Sequence, residues 1–291
     1  MTLIEIDPEA GFCFGVQQVI HTAEALLEKE GSLYSLGEVV HNKGEMKRLH
    51  EMGLKTLTHR EMEELKPSRI LIRAHGEPPS TYRLAAEHHI QVIDGTCPIV
   101  LKLQERIRRK YLSMNHEEEQ VVIFGKPGHP ETVGLLGQVN GDATVVSHPE
   151  EAGKVDPNRR VHLFSQTTMD PSQFAELEQV LKLRQAGPAG SSFRSSCTIC
   201  GQMKRRKPGL RKFALKHDVM LFVSGKDSAN GRMLFEYCLT VNPRTFWISD
   251  EQEVDPHWFE GARSVGISGA TSTSREQLET VGTQLKKIIS S

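Results

Sequence analysis

Asp94-Gly95-Thr96-Cys97-Pro98-Ile99-Val100 follows a short apolar run, residues 90–93, and precedes a charged stretch that reads as a helix as far as Lys110. The run has the length of a buried strand. Pro98 suits the first position of a helix, where its missing N–H leaves no bond unmade. Cys97 therefore sits at a strand-to-helix handover, with its sulfur at the positive end of the helix dipole. A thiolate that holds a metal or meets an electrophile suits such a position. So does a small buried cysteine in a packed turn, and this loop alone does not separate the two.

Two further cysteines occupy similar places. Cys13 lies in Gly11-Phe-Cys-Phe-Gly15, just before a stretch in which Val16, Val19, Ile20, Ala23, Leu26 and Leu27 share one helical face and Gly31 closes the helix. Cys200 ends Cys197-Thr-Ile-Cys200, a C-x-x-C with no second pair and so a weak zinc signal. Cys238 falls four residues after Leu234 on a predicted helix and reads as core.

Working outward, a strand, a polar loop and a helix recur along the whole chain. Residues 33–36 run into Gly37-Glu-Val-Val-His41-Asn42. Residues 70–72 run into Arg73-Ala-His75-Gly-Glu-Pro-Pro79, where paired prolines stiffen the loop around His75. Residues 121–124 lead to Gly125-Lys-Pro-Gly-His129-Pro-Glu131, and residues 161–164 to Ser165-Gln-Thr167-Thr168, with Pro171 opening the next helix. Residues 219–223 end in Ser224-Gly-Lys-Asp-Ser228-Ala-Asn230, and residues 264–267 in Ser268-Gly-Ala-Thr-Ser272-Thr-Ser274. Hydroxyl and amide side chains ahead of a helix make an anion cradle, although plain capping explains either loop alone. Glu131 is placed to carry a proton, or to complement the first turn of a helix.

This alternation predicts an α/β fold with parallel sheets, in which ligands bind at the carboxyl ends of the strands. The spacing of Cys13, Cys97 and Cys200 divides the chain into three small α/β domains, 1–97, 98–194 and 195–291, in a pseudo-threefold arrangement around one site. Three thiolates with nearby histidines suit an iron–sulfur cluster or a Cys₃ zinc centre.

Composition narrows the classes. The chain has 291 residues, 25% of them charged, and a net charge of −1. No global field draws it to nucleic acid or to a membrane surface. No run approaches the ~18 apolar residues of a membrane span, and the N-terminal segment lacks the pattern of a secretory signal. The expectation is a soluble, cytoplasmic protein. Five scattered cysteines are not a disulfide framework. The run Lys204-Arg-Arg-Lys207 reads as a solvated face, as do Arg106 to Lys110 and Glu117 to Glu119; residues 185–192 read as a surface loop.

Taken together, the chain resembles the IspH/LytB family of 4-hydroxy-3-methylbut-2-enyl diphosphate reductases, almost end to end. The likeness rests on Gly11-Phe-Cys-Phe-Gly-Val16, Val40-His-Asn42, Ile72-Arg-Ala-His-Gly76, Thr96-Cys-Pro98, Gly128-His-Pro-Glu131, Gln166-Thr-Thr168 and Ser228-Ala-Asn230, in that order. The resemblance implies a [4Fe–4S] cluster held by Cys13, Cys97 and Cys200. It implies reductive removal of the substrate hydroxyl to give isopentenyl and dimethylallyl diphosphate, the last step of the methylerythritol phosphate pathway. It implies Glu131 as the proton-relay carboxylate and Thr167 as its neighbouring hydroxyl. His41, His75, His129, Ser228, Asn230 and Ser272 match the diphosphate pocket. Electrons would come from a separate ferredoxin or flavodoxin-type donor.

Four positions depart from the family pattern. Ala229 stands where a second serine is frequent, Arg205-Arg206 where an Asn-Arg pair is common, and Ser272-Thr-Ser274 where the turn usually ends in proline; Cys197 is additional. Losing one hydroxyl donor to a phosphate weakens binding by roughly 1.5–3 kcal/mol unless water or backbone substitutes. The competing readings are a zinc or cysteine-dependent enzyme acting on a small phosphorylated substrate, and an RNA binder using Lys204 to Lys207, which charge balance disfavours.

Overall fold

A computed structural model describes residues 2–65, 68–185, 193–226 and 228–290. In chain order the elements are β1 (Leu3–Ile6), α1 (Phe14–Glu30), β2 (Leu33–Leu36), α2 (Lys43–Glu51), β3 (Leu54–Leu57), α3 (His59–Glu63), β4 (Arg69–Ile72), α4 (Pro79–Glu87), β5 (Gln91–Asp94) and α5 (Pro98–Ser113). There follow β6 (Glu119–Phe124), α6 (Pro130–Gly137), β7 (Thr144–Val146), β8 (Arg160–Ser165), α7 (Pro171–Arg184), β9 (Arg194–Ser195) and α8 (Gly201–Ala214). The chain ends with β10 (Val219–Val223), α9 (Ala229–Val241), β11 (Thr245–Ile248), β12 (Ser264–Gly269) and α10 (Arg275–Ser290).

Three four-stranded sheets result, in the orders β1-β12-β10-β11, β3-β2-β4-β5 and β7-β6-β8-β9. The pairings described are parallel. This is the expected α/β fold with three small domains. Helices cover the sheets, and the central strand β10 is apolar throughout: every residue of Val-Met-Leu-Phe-Val is buried. Phe222 and Met220 pack with Leu210, Phe213 and Leu234, while Leu221 and Val223 pack with Leu278, Val281 and Leu285. One strand thus supplies both faces of its layer. Gly31 ends α1 in the left-handed conformation at φ 71°, with its N–H bonded to the Leu27 carbonyl, as the closing-glycine expectation required.

Two compact units make up the chain. One holds Met1–Leu33, Glu38–Thr56 and Arg205–Ser291; the other holds Tyr34–Gly37 and Leu57–Lys204. The sheets do not follow thirds of the sequence. β1 pairs with β12, Ile6 opposite Ile267, so residues 3–6 belong with the C-terminal sheet and not with β2 to β5. Nothing local in Leu3-Ile-Glu-Ile6 announces that partner, since parallel pairing is settled by elements far away in sequence. Among the described residues no helix is long and apolar enough to cross a membrane. Cys238 is buried in the core, as expected, and burial pushes its thiol up to about 11.

The charged runs read as solvated are mostly exposed, but two of their residues turn inward. Glu119 is buried at the start of β6 and meets Lys110 at 2.7 Å, His162 at 2.5 Å and Arg160 at 3.5 Å. Arg206, within Lys204 to Lys207, is 2% exposed and pairs with Asp7 at 2.7 Å. Its guanidinium also donates to the Ser268 hydroxyl and the Gly269 carbonyl. The buried pair ties the ends of β1 and β12 to α8.

Candidate active site

The three cysteines share one local construction. Cys13 and Cys97 stand at the N-caps of α1 and α5, neither using its side chain as the cap, and Cys200 immediately precedes α8. Each is half-buried and none is in a disulfide. The backbone N–H of each donates to a carbonyl in the loop after the neighbouring strand. Cys13 bonds Thr271 at 3.3 Å, Cys97 bonds Ala74 at 3.0 Å and Cys200 bonds Thr167 at 2.8 Å. The strand pairs are β1 with β12, β5 with β4, and β9 with β8. Each cysteine is therefore fastened to a loop that carries a predicted site residue: Ser272, His75 or Thr167 itself. Cys197 is exposed, and its carbonyl accepts from the Lys204 ammonium at 3.5 Å. Among the described residues no three His, Cys, Asp or Glu side chains gather closely enough to hold a single metal ion.

In the unit containing Leu57–Lys204, Glu131 and Thr167 meet directly. Pro130 opens α6 and puts Glu131 in its first turn, from where the carboxyl reaches the loop after β8. Thr167 N–H donates to Oε1 at 2.6 Å and the Thr167 hydroxyl donates to Oε2 at 2.8 Å. Glu131 is 1% exposed. Burial pushes its carboxyl up to about 7, against the two Thr167 bonds, which favour the charged form. His129 caps α6, its Nδ1 accepting from the Glu131 N–H at 3.2 Å. In a neutral ring that bond leaves the proton on Nε2, as a donor. The His75 ring stands edge-on to His129, centroids 5.2 Å apart. Gly76 follows in the left-handed region at φ 71°, and a Cβ there would come within 2.7 Å of Gln104 Nε2 and 2.9 Å of the Thr96 methyl.

In the other unit, Ser228, Asn230 and Ser272 form a second cluster. Ser228 caps α9 by accepting from Gly231 N–H at 3.0 Å, and its hydroxyl lies 3.4 Å from that of Ser272. Asn230 Nδ2 donates to the Thr271 hydroxyl at 2.6 Å, while its Oδ1 is buried without a hydrogen-bond partner. His41 is exposed and its Nδ1 lies 3.8 Å from Glu38. The side chain of Ala229 and residues 186–192 of the predicted surface loop lie outside the described residues.

Sequence reasoning assigned no role to Asn42 or Arg206. Asn42 caps α2 and donates from Nδ2 to the Ser272 carbonyl at 3.0 Å and to Gln277 Oε1 at 2.9 Å, so it braces the Ser272 loop. Its signal was a cap-type residue in the quoted block Val40-His-Asn42. Arg206 carried a signal too. It lies on the same helical face as Met203, Leu210 and Phe213, all buried.

The sequence model of the LytB protein family matches residues 4–286. A Bacteroides thetaiotaomicron protein named 4-hydroxy-3-methylbut-2-enyl diphosphate reductase is 45% identical over 289 residues, covering 99% of each chain. A Chloroherpeton thalassium protein of the same name is 41% identical and covers 97% of this chain and 96% of its own. A solved (E)-4-hydroxy-3-methyl-but-2-enyl diphosphate reductase, described as the terminal enzyme of the non-mevalonate pathway, superimposes with a TM-score of 0.73. It is 33% identical and covers 99% of this chain and all of its own. The Plasmodium falciparum (E)-1-hydroxy-2-methyl-but-2-enyl 4-diphosphate reductase shares the fold at a TM-score of 0.85 and 21% identity, over 98% of this chain and 88% of its own. On the family match and the full-length likeness of these relatives, the chain belongs to the LytB family.

Proposed function

We propose that this protein is an iron–sulfur reductase that removes the hydroxyl group of 4-hydroxy-3-methylbut-2-enyl diphosphate, giving isopentenyl and dimethylallyl diphosphate. The observation that carries the reading is the buried Glu131–Thr167 pair beside the Cys200 loop. The overall change breaks one C–O bond, consumes two electrons and two protons, and releases the oxygen as water. Glu131, raised to about 7, keeps its proton in about half the molecules at neutral pH, where an ordinary carboxyl would have lost it. Thr167 fixes both carboxyl oxygens, so the acid has one orientation.

Cys13, Cys97 and Cys200 are the proposed ligands of a [4Fe–4S] cluster. The donor set fits: three half-buried thiols outside any disulfide, each at or just before a helix N-terminus, offer soft ligands of the kind iron–sulfur centres take. When bound, such a cluster supplies electrons and a Lewis-acidic iron for the leaving oxygen.

His41, His75, His129, Ser228, Asn230 and Ser272 are the proposed holders of the diphosphate. His129 offers Nε2–H, and Ser228 and Ser272 offer adjacent hydroxyls. Rotating the Asn230 amide by half a turn satisfies its buried oxygen: Thr271 then donates to Oδ1, and Nδ2 becomes a donor for phosphate oxygen. Electrons come from a separate ferredoxin or flavodoxin-type protein.

The test is anaerobic reconstitution followed by turnover of the hydroxylated allylic diphosphate with a chemical reductant. The reading expects a brown protein with about four irons per chain and both diphosphate products. A colourless protein that binds zinc and leaves the substrate unchanged contradicts it.

A further inference from the structure

The helix that leaves the Cys200 loop has two unlike faces. Met203, Arg206, Leu210, Phe213 and Ala214 are buried. On the opposite side Lys204, Arg205, Arg211, Lys212 and, just beyond the helix, Lys216 are all exposed. The spacing of 3.6 residues per turn puts these cations on one contiguous stripe. Leu215, 62% exposed, lies on the same side just past the end of the helix, two turns beyond the exposed Pro208. The helix itself contains no acidic residue. Among the described residues, none of these five cations has an ion pair shorter than 4.0 Å; Glu9 lies against Gly209 at the edge of the stripe. Lys207, half-buried, packs over the Tyr237 ring. Since the whole chain carries a net charge of −1, this positive field is local and not a property of the chain as a whole.

We propose that this face of α8 docks an acidic one-electron carrier protein. The inference rests on the reductase reading, which needs electrons delivered singly from outside. Exposed cations that make no ion pair among the described residues, interspersed with an exposed leucine, match an acidic protein surface: the charge steers encounter and Leu215 supplies contact area. The near end of the stripe, Lys204, is one helical turn from Cys200, so the docked carrier is held beside the cysteine loop. RNA is the other polyanion such a stripe could attract; the absence of any aromatic residue on the exposed stripe favours protein.

The test uses the loaded full-length protein, a purified acidic [2Fe–2S] ferredoxin, and the double variant Arg211→Glu/Lys212→Glu, whose residues lie about 17 Å along the helix from Cys200. The wild type should lose about tenfold in ferredoxin-driven kcat/KM between about 0.05 and 0.3 M salt. The variant should bind ferredoxin at least about tenfold more weakly in a calorimetric titration at low salt, and lose kcat/KM by the same factor. Turnover driven by dithionite and methyl viologen should stay within about twofold of wild type, because no site group has moved. Unchanged ferredoxin affinity in the variant overturns the proposal, and so does an equal fall in both assays. A variant that loses only salt-sensitive affinity for a single-stranded RNA overturns it in favour of nucleic acid. If viologen-driven turnover is absent in the wild type, the reductase reading fails, while the ferredoxin titration still decides the docking face.

Discussion

Glu119 and Glu131 stand at opposite ends of the same sheet, and both are buried, yet they behave as opposites. Glu119, at the amino end of β6, is surrounded by Lys110, His162 and Arg160. The Lys110 hydrogen bond, helped by His162 and the Asn115 N–H, holds its carboxyl down to about 2. Glu131, beyond the carboxyl end of the same strand, is bonded by Thr167 and, among the described residues, by no cation; burial lifts it to about 7. A third case, Asp7, is clamped by Arg206 and Ser268. Glu119 and Asp7 are buried with a cation; Glu131, the proposed proton source, is buried without one among the described residues. The carboxyl ends of the strands are where an α/β sheet leaves room for that second kind.

The comparison breaks most visibly at Glu131 itself. Glu131→Gln should lower kcat by about 10²–10⁴-fold, the worth of a positioned general acid. Its melting temperature should not fall, because an amide replaces a carboxyl that gains nothing from a cation. A matching loss of stability would show that Glu131 is structural. Arg206→Met should do the reverse and destabilise the protein by about 3–5 kcal/mol in denaturant unfolding, since Asp7 is left buried and uncompensated. Lys110→Met comes next, at about 1.5–3 kcal/mol for a hydrogen bond to a charged group, with the per-molecule rate of the folded enzyme unchanged.

The sign of the pH dependence sharpens the contrast. Glu131 is raised from the usual 4.5, so the native state binds its proton more tightly than the unfolded chain. Stability from this group is therefore full below 4.5 and declines as pH rises towards about 7. Glu119 is lowered, so its contribution is present above 4.5 and is lost as pH falls towards about 2. Thermal melts from pH 5 to 8 should thus fall less steeply in Glu131→Gln than in the wild type. The smallest expected effect is that of Thr167→Val. Removing the hydroxyl takes away one bond that favours the charged carboxyl, so the alkaline limb of the rate profile should move upward in pH. A downward movement would mean that Thr167 stabilises the protonated acid instead.

Much of this was legible before any coordinates. Strands 33–36 and 219–223 have the predicted limits, because short apolar runs bounded by loop residues leave little choice. The α/β class followed from their alternation with helices, and the loops that carry Glu131, Thr167 and Ser228 fell at strand ends as the fold demands. What stayed hidden was pairing at a distance. Leu3-Ile-Glu-Ile6 finds its partner some 260 positions later in β12, a separation with no local trace. Lys110 and Glu119 look like ordinary helix-end charges until the His162 strand closes over them. Arg206 is the instructive miss. Its neighbours in sequence are exposed cations, and only its register with Met203 and Leu210 betrays that it points inward. Composition describes a run of residues, whereas burial is decided one helical position at a time.

The most direct test is the pH profile of product formation from the hydroxylated allylic diphosphate, for the cluster-loaded wild type and for Glu131→Gln with its iron content verified. We expect the wild type to form both isomeric diphosphates, with a rate that falls as pH rises above about 7, and the variant to lose at least about a hundredfold while keeping its cluster. A variant that turns over at the wild-type rate would contradict the assignment of a buried, cation-free carboxyl as the proton source.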